Sequence, residues 1–536
     1  MKRFILFTLM LIVGTGYLTI KYFKSLNSSG VHAGNIMRTI PDSAVAVFEF
    51  SNDKGFYEIF TDNTLLGSLI GEQAISELDT VRQTLFGNAA LQQFFEGSNV
   101  FLSLHPNTGA GPQLLLTAAA GKDFEISILD ALAKQKKTGM LITSFTMNEK
   151  RGFIIYFASL KKRFYLLNTE ENIYSASFSK ELIAQVASPQ NDKEKSAFLL
   201  LPDQQNSNSL ANLYINYSQL SPLFDKLFKT KNNDIFKNFR LLPASAALNL
   251  NYKADALMFN GYTKTDANKP ASYLNLFISQ APVENQLKEI FPSTTAYTIN
   301  MAASDPEKFM GDLTNFQDKA GLKTDRDTLL KRVKAETGIN LKSELTKLLG
   351  KEFAVVTTRY REKFALITVK DGSKLRPFMV NISTMINDDT GELNYNKLPY
   401  FMFGDAFNAF RRPYFRIFDN YLVLANSVKE LDSFADSYLN RKFMSKTDSY
   451  QRFDNLMAER SNVTFYINFK NARAILKNDL KDNVLNAYEN NKLSLLNFES
   501  ASYQFTATDG NFYTNFCMLR NQPDTTIRSK SDQNQQ

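Results

Sequence analysis

Short runs in which apolar and polar residues alternate recur along this chain, set in groups and separated by stretches with a three-to-four apolar spacing. Ala44 to Phe50 places Val45, Val47 and Glu49 against Ala44, Ala46, Phe48 and Phe50, which predicts a first strand. Further strands are expected over Val100–Leu104, Gln113–Ala118, Gly152–Phe157, Phe164–Asn168, Ile173–Ser177 and Leu213–Tyr217. Ala246–Tyr252 and Leu257–Thr263 then read as a closing hairpin. Ile75, Leu78, Val81 and Leu85 give residues 71–87 one apolar stripe, hence a helix. Other helices are expected over Asp123–Lys136, Ser179–Val186 and Ser221–Lys229, and Ser188–Asn208 is polar enough to be a loop.

The second half retraces this order. Asp305-Pro306-Glu307 opens a helix, with an acceptor at the cap and proline at the first helical position. Strands are expected over Phe353–Thr358, Phe364–Val369, Tyr400–Phe403, Tyr414–Phe418 and Tyr421–Ala425, with a last hairpin of Tyr503–Ala507 and Phe512–Leu519. Five landmarks recur: Pro41 and Pro292, Gly97 and Gly350, Thr117 and Thr368, Lys180 and Lys429, Tyr214 and Tyr466. Subtracting the paired numbers gives 251, 253, 251, 249 and 252. So regular a separation implies an internal repeat. The expected fold class is therefore α+β: two tandem homologous repeats of mainly antiparallel sheet with inserted helices, preceded by one transmembrane helix. The boundaries follow as a signal anchor at 1–24, a tether at 25–38, the first repeat at 39–265, a linker at 266–288, the second repeat at 289–520 and a disordered tail at 521–536.

This order of elements resembles a family of bacterial extracytoplasmic proteins grouped as a domain of unknown function. The resemblance spans about residues 39–520 and is carried by Pro41 and Pro292, Gly97 and Gly350, Asp371-Gly372, Lys429-Glu430-Leu431 and Tyr466-Ile467-Asn468. It implies an N-terminal membrane segment but brings no activity and no catalytic residue.

Met1-Lys2-Arg3 precedes an apolar stretch from Phe4 to Ile20, followed by Lys21, Tyr22, Phe23 and Lys24. At ~1.5 Å per residue such a helix reaches about 25 Å, enough for a bilayer core if its ends snorkel. The expected placement is the inner (cytoplasmic) membrane, single-pass through this N-terminal helix, with the bulk of the chain periplasmic. The alternative is secretion to the periplasm after cleavage near Ala33.

Composition sharpens the picture in three places. The 45 Phe and 23 Tyr favour β-structure, and 44% hydrophobic residues suffice for large cores. The net charge of +8 is interspersed with acids, which gives no nucleic-acid footprint. The one cysteine, Cys517, lies in an alternating run and reads as a buried small hydrophobe, and no internal disulfide is available.

Candidate chemistry is sparse. Only His32 and His105 exist, and His105 precedes Pro106 where a turn is expected. No phosphate-binding glycine loop, cofactor motif or metal-ligand spacing is present, and Asn387–Glu392 reads as a solvated hairpin tip. What stands out is basic and occurs once in each half: Lys161, Lys162 and Arg163 before one strand, Arg411, Arg412, Tyr414 and Arg416 around another. Phe401, Phe403, Phe407 and Phe410 lie near the second group. Guanidinium and ammonium groups beside aromatics suit an anionic partner such as an envelope protein, anionic lipid or glycan. The expected function is a non-catalytic, membrane-anchored, extracytoplasmic binding or scaffold protein of the cell envelope. Lipid or hydrophobic-ligand handling and a carboxylate-based envelope hydrolase are the alternatives.

Overall fold

A computed structural model of the chain describes residues 34–53, 56–57, 72–106, 112–121, 124–134, 140–188, 209–230, 242–253, 255–266, 272–490 and 497–521. The apolar N-terminal stretch, the cleavage point near Ala33, the loop over 189–208 and the tail from 522 onward lie outside them. Residue contacts divide the chain into two units. Unit 1 holds the described residues among 1–63, 73–226 and 244–250; unit 2 holds those among 64–72, 227–243 and 251–536.

In unit 1 the strands are β1 (Ala46–Ser51), β2 (Asn99–Pro106), β3 (Pro112–Ala119), β4 (Met140–Met147), β5 (Lys150–Phe157), β6 (Lys162–Glu170), β7 (Ile173–Ser177), β8 (Ala211–Asn216) and β9 (Ala244–Tyr252). All pairings are antiparallel and run β4-β5-β6-β7-β3-β2-β1-β8-β9. Asn148 and Glu149 both take positive φ between β4 and β5, the backbone that a tight two-residue hairpin requires. Ser179 accepts from the Leu182 N–H and so caps the helix Lys180–Ala187. Phe153, Ile155 and Phe157 of β5 pack with Leu129 and Leu132 of the helix Ser127–Lys134.

In unit 2 the strands are β10 (Ala256–Thr265), β11 (Val283–Glu284), β12 (Thr295–Ala302), β13 (Leu349–Thr358), β14 (Lys363–Val369), β15 (Ser383–Met385), β16 (Gly391–Leu393), β17 (Tyr414–Phe418), β18 (Tyr421–Ala425), β19 (Arg460–Ser461), β20 (Val463–Asn468), β21 (Phe498–Thr508) and β22 (Asn511–Arg520). The order is β15-β16-β17-β18-β14-β13-β12-β20-β21-β22-β10, with β11 and β19 paired as a separate ribbon. Asp305 accepts from the Glu307 and Lys308 N–H groups and Pro306 starts the helix Pro306–Lys319. Ser427 caps the helix Val428–Leu439, whose Leu431 and Phe434 bury against Phe364, Val423 and Tyr466. Cys517 is fully buried and burial pushes its thiol up to about 12, as a packed apolar residue behaves.

Four expectations are corrected. The strands do not divide into two tandem repeats at residue 265: β10, expected to close the first repeat, pairs with β22 in unit 2, and β11 and β19 form a separate ribbon. Unpaired N–H and C=O groups along an edge strand are satisfied by pairing, so a sequence repeat need not end where a sheet ends. Unit membership likewise does not follow chain order, since β10 groups with unit 2. The run Tyr400–Phe403 is helical, part of Leu398–Phe403, with Pro399 in its first turn and Leu398, Phe401, Met402 and Phe403 all buried. An apolar run buried all round carries no period, and the proline decides in favour of the helix start. Finally, among the described residues no helix is long and apolar enough to cross a membrane, so the single-pass inner-membrane placement and the transmembrane helix of the fold class find no support there; the segment expected to span, residues 1–24, lies outside them.

Candidate functional site

The basic residues singled out by sequence divide between the units. Lys161 occupies the β5–β6 turn with φ 52°, and Arg163 stands opposite Tyr156 across the β5–β6 pair. Lys162 meets the Glu77 carboxylate at 2.6 Å, with its ammonium 5.6 Å from the Phe178 ring centroid. In unit 2, Arg411 and Arg412 precede β17, and Arg412 pairs with Glu392 at 3.6 Å. Arg416 donates to Thr390 Oγ1 and to Asp432, each at 2.9 Å. Tyr414 packs against the unit 2 core, and Phe401, Phe403, Phe407 and Phe410 are buried. The aromatic side chains are thus unavailable to a partner. Lys162, Arg412 and Arg416 are neutralised within the chain, while Lys161, Arg163 and Arg411 remain exposed.

A concave site exists elsewhere in unit 2. A cleft of about 500 Å³ opens where β13 and β14 meet the β11–β19 ribbon, and Glu284, Ser304, Lys351, Glu352, Thr368 and Arg460 contribute to its walls. The register of β13 against β14 shifts between Leu349 and Phe353, a bulge. Such an extra residue re-aims the side chains beside it. Thr368 holds the bulge from the neighbouring strand: its Oγ1 accepts from the Glu352 N–H and donates to the Glu352 C=O, both at 2.9 Å. This close approach needs glycine at 350, where a Cβ would come within 2.4 Å of Thr368 Oγ1.

The bulge turns Glu352 inward, where it is 5% exposed. Its Oε1 accepts from the Gln286 N–H and its Oε2 from the Leu287 N–H, each at 3.1 Å. Asn300 Nδ2 lies 3.3 Å from Oε2 and donates also to Asn285 Oδ1 at 2.5 Å. Burial raises the Glu352 carboxyl above the usual range, and the N–H donors hold it part of the way down. The carboxylate therefore caps the turn Leu287–Ile290 from across the sheet. Lys351 and Arg460 are exposed at the cleft, and no carboxylate among the described residues forms an ion pair with either.

Sequence reasoning missed this cleft, although Gly350 stood among its landmarks. The signal was a lone glutamate opening an apolar strand, Glu352-Phe353-Ala354-Val355-Val356. His105 was also misplaced: it lies inside β2, 2% exposed, and not in a turn.

Comparison with protein families, with characterised proteins and with solved structures finds no match to this chain.

Proposed function

We propose that the cleft of unit 2 is a non-catalytic binding site that takes an anionic small molecule or acidic chain segment. The observation that carries this reading is the pair of exposed cations, Lys351 and Arg460, at a ligand-sized concavity and with no ion-pair partner among the described residues. Arg460 offers a planar fork suited to carboxylate or phosphate, and Lys351 a compact charge. Ser304 and Thr368 add hydroxyls at the same walls. Glu352 is engaged by backbone donors, which argues against its use as a hydrolytic acid or base. The hydrophobic-ligand alternative is disfavoured by size. The apolar cavity in the unit 1 core, between Leu85, Leu116, Phe124 and Phe164, holds about 40 Å³. That is little more than one water's share of liquid volume, roughly 30 Å³.

The test is fluorescence anisotropy of the full chain with a labelled hexaglutamate peptide, competed with inorganic phosphate. Binding should weaken about tenfold in Lys351→Ser/Arg460→Ser and fall with rising salt, since exposed charges are screened over ~8–10 Å. Competition by phosphate alone would identify a small anion as the ligand class. Equal binding by the double variant, or none at low salt, removes the cleft as the site. The companion variant Lys161→Ser/Arg163→Ser/Arg411→Ser reports whether the basic loops contribute.

A further inference from the structure

Unit 1 holds a chain of three polar side chains that nothing above employs. His105 on β2 lies between two serines: Ser43 Oγ is 2.9 Å from its Nδ1, and Ser103 Oγ is 2.9 Å from its Nε2. One arrangement of the hydrogens starts at the outer end. Ser103 donates its hydroxyl hydrogen to the Leu115 carbonyl at 3.3 Å, so towards the imidazole it can only accept. The ring is then protonated at Nε2, and its Nδ1 lone pair faces the Ser43 hydroxyl. That is the tautomer a general base requires.

The two ends of this chain differ in access. Ser103 and His105 are buried, at 0% and 2% exposure. Ser43 is half-buried in the turn leading to β1, where the Ala44 N–H bonds the Pro41 carbonyl at 3.0 Å. Gln185, exposed on the helix Lys180–Ala187, accepts through Oε1 from Ser43 Oγ at 3.3 Å, so the one Ser43 hydrogen is shared between Gln185 and His105 Nδ1. The hydroxyl therefore sits at the boundary between solvent and a dry imidazole. Burial lowers the His105 pKa to about 4, so the resting ring is neutral at ordinary pH and is a weaker base than a free imidazole.

We propose that Ser43 is a nucleophile, with His105 as its general base and Ser103 as the residue that positions the ring, acting on an activated carboxylic ester at the unit 1 surface. In the step, Ser43 Oγ bonds to the ester carbonyl carbon while its proton passes to His105 Nδ1. The tetrahedral adduct expels the alcohol as its C–O bond breaks, and His105 returns the proton to that leaving oxygen. Water then attacks the acyl-serine, His105 takes the water's proton, and the carboxylic acid leaves as Ser43 regains its hydrogen. Each proton and electron pair is accounted for without any cofactor. Among the described residues no carboxylate hydrogen-bonds the ring, so the imidazolium formed is held there by the Ser103 oxygen. A slow, acyl-accumulating reaction is expected.

The experiment uses the full chain and a fluorophosphonate, which forms the serine–phosphorus bond as fluoride departs with the proton. Peptide mapping by mass spectrometry reads the modified residue. Ser43 should react at least about a hundredfold faster in the native chain than in the same chain unfolded in urea, in line with a general base's usual contribution. Ser43→Ala should abolish the label, and Ser103→Val should slow it while Ser103→Thr retains it. p-Nitrophenyl acetate should give a burst of one p-nitrophenolate per chain. A native Ser43 no faster than the unfolded one, or a folded His105→Gln variant labelled at the native rate, would overturn the assignment. If His105→Gln does not fold by circular dichroism, the native-to-unfolded ratio and the Ser103 pair decide the matter.

Discussion

In unit 1 the buried carboxylate belongs to β1: Glu49 receives Asn99 Nδ2 at 2.7 Å from β2, and Asn212 Nδ2 at 3.1 Å and the Tyr214 hydroxyl at 2.7 Å from β8. In unit 2 the corresponding place on β12 holds Asn300, and the carboxylate, Glu352, comes from β13. The pairing diagonals agree. Asn99 lies opposite Ser51, two residues beyond Glu49, and Glu352 lies opposite Ala302, two residues beyond Asn300. Carboxylate and amide have exchanged strands. The exchange changes the donors, because from β13 the carboxylate reaches the backbone N–H groups of Gln286 and Leu287. Of the Glu49 donors, Asn99 is half-buried and can turn towards water when it loses its acceptor, whereas a backbone N–H fixed in a turn cannot. One sheet position thus carries a network of side chains in one unit and a clasp on the main chain in the other.

The largest expected effect tests that distinction. Glu352→Ala strands two buried backbone donors and the Asn300 amide, at about 1–3 kcal/mol for each unsatisfied group, so a loss of about 4 kcal/mol is expected. Glu49→Ala should cost less, about 2 kcal/mol. Urea titration followed by circular dichroism measures both, and an equal or larger loss for Glu49→Ala would break the comparison.

The next effect is in pH, where the units should respond with opposite sign. His105 in unit 1 has its pKa lowered from 6.5 to about 4, so its stability contribution is complete above 6.5 and is lost as pH falls towards 4. At ~1.4 kcal/mol per unit this amounts to at most about 3 kcal/mol. Glu352 in unit 2 has its pKa raised, so its contribution is complete below the usual carboxyl range and is lost as pH rises through the native value. Hydrogen exchange resolved by unit, between pH 4 and 7, should show unit 1 opening more readily in acid. His105→Gln should flatten that trend in unit 1 alone.

A smaller effect separates two tyrosines at matching strand positions. Tyr214 donates to the Glu49 carboxylate, while the Tyr466 hydroxyl shares a neutral bond with Ser500 at 2.9 Å. Hydrogen bonds to charged groups are worth about twice neutral ones, so Tyr214→Phe should cost about 2 kcal/mol and Tyr466→Phe about 1 kcal/mol. Reversal of that order in paired thermal melts would contradict the assigned acceptors. The least effect is expected from Arg412→Ser. Its pair with Glu392 at 3.6 Å is solvent-exposed on the arginine side, and a change within about 0.5 kcal/mol should be seen in the same melts.

Much of the secondary structure was legible in the sequence. The spans Ile173–Ser177, Tyr414–Phe418 and Tyr421–Ala425 were read to the residue, because each alternates or stays apolar between unambiguous turns. Asp305-Pro306 marked its helix start because an N-cap acceptor and a proline act within one turn of chain. The edge strand β4 escaped notice: Leu141 is 65% exposed while Ile142 is buried, an alternation too weakly polar to register. Of the site, the basic loops were visible and the cleft was not. Lys351 and Arg460 stand 109 positions apart by their numbers, and only the β11–β19 ribbon brings them to one cavity.

The sequence by itself determined the properties set within a few residues: strand period, helix caps, and the glycine and Asp-Gly turns. Only the tertiary structure decided that Leu398–Phe403 is a helix, that β10 pairs with β22, and that His105 lies between two serines. It decided too that Glu352 is turned inward by a bulge held at Thr368. The reason is one of range. Local preferences are fixed by sterics and hydrogen bonds over one turn of chain, while the partner of a buried polar group is chosen by which distant strand supplies a donor there.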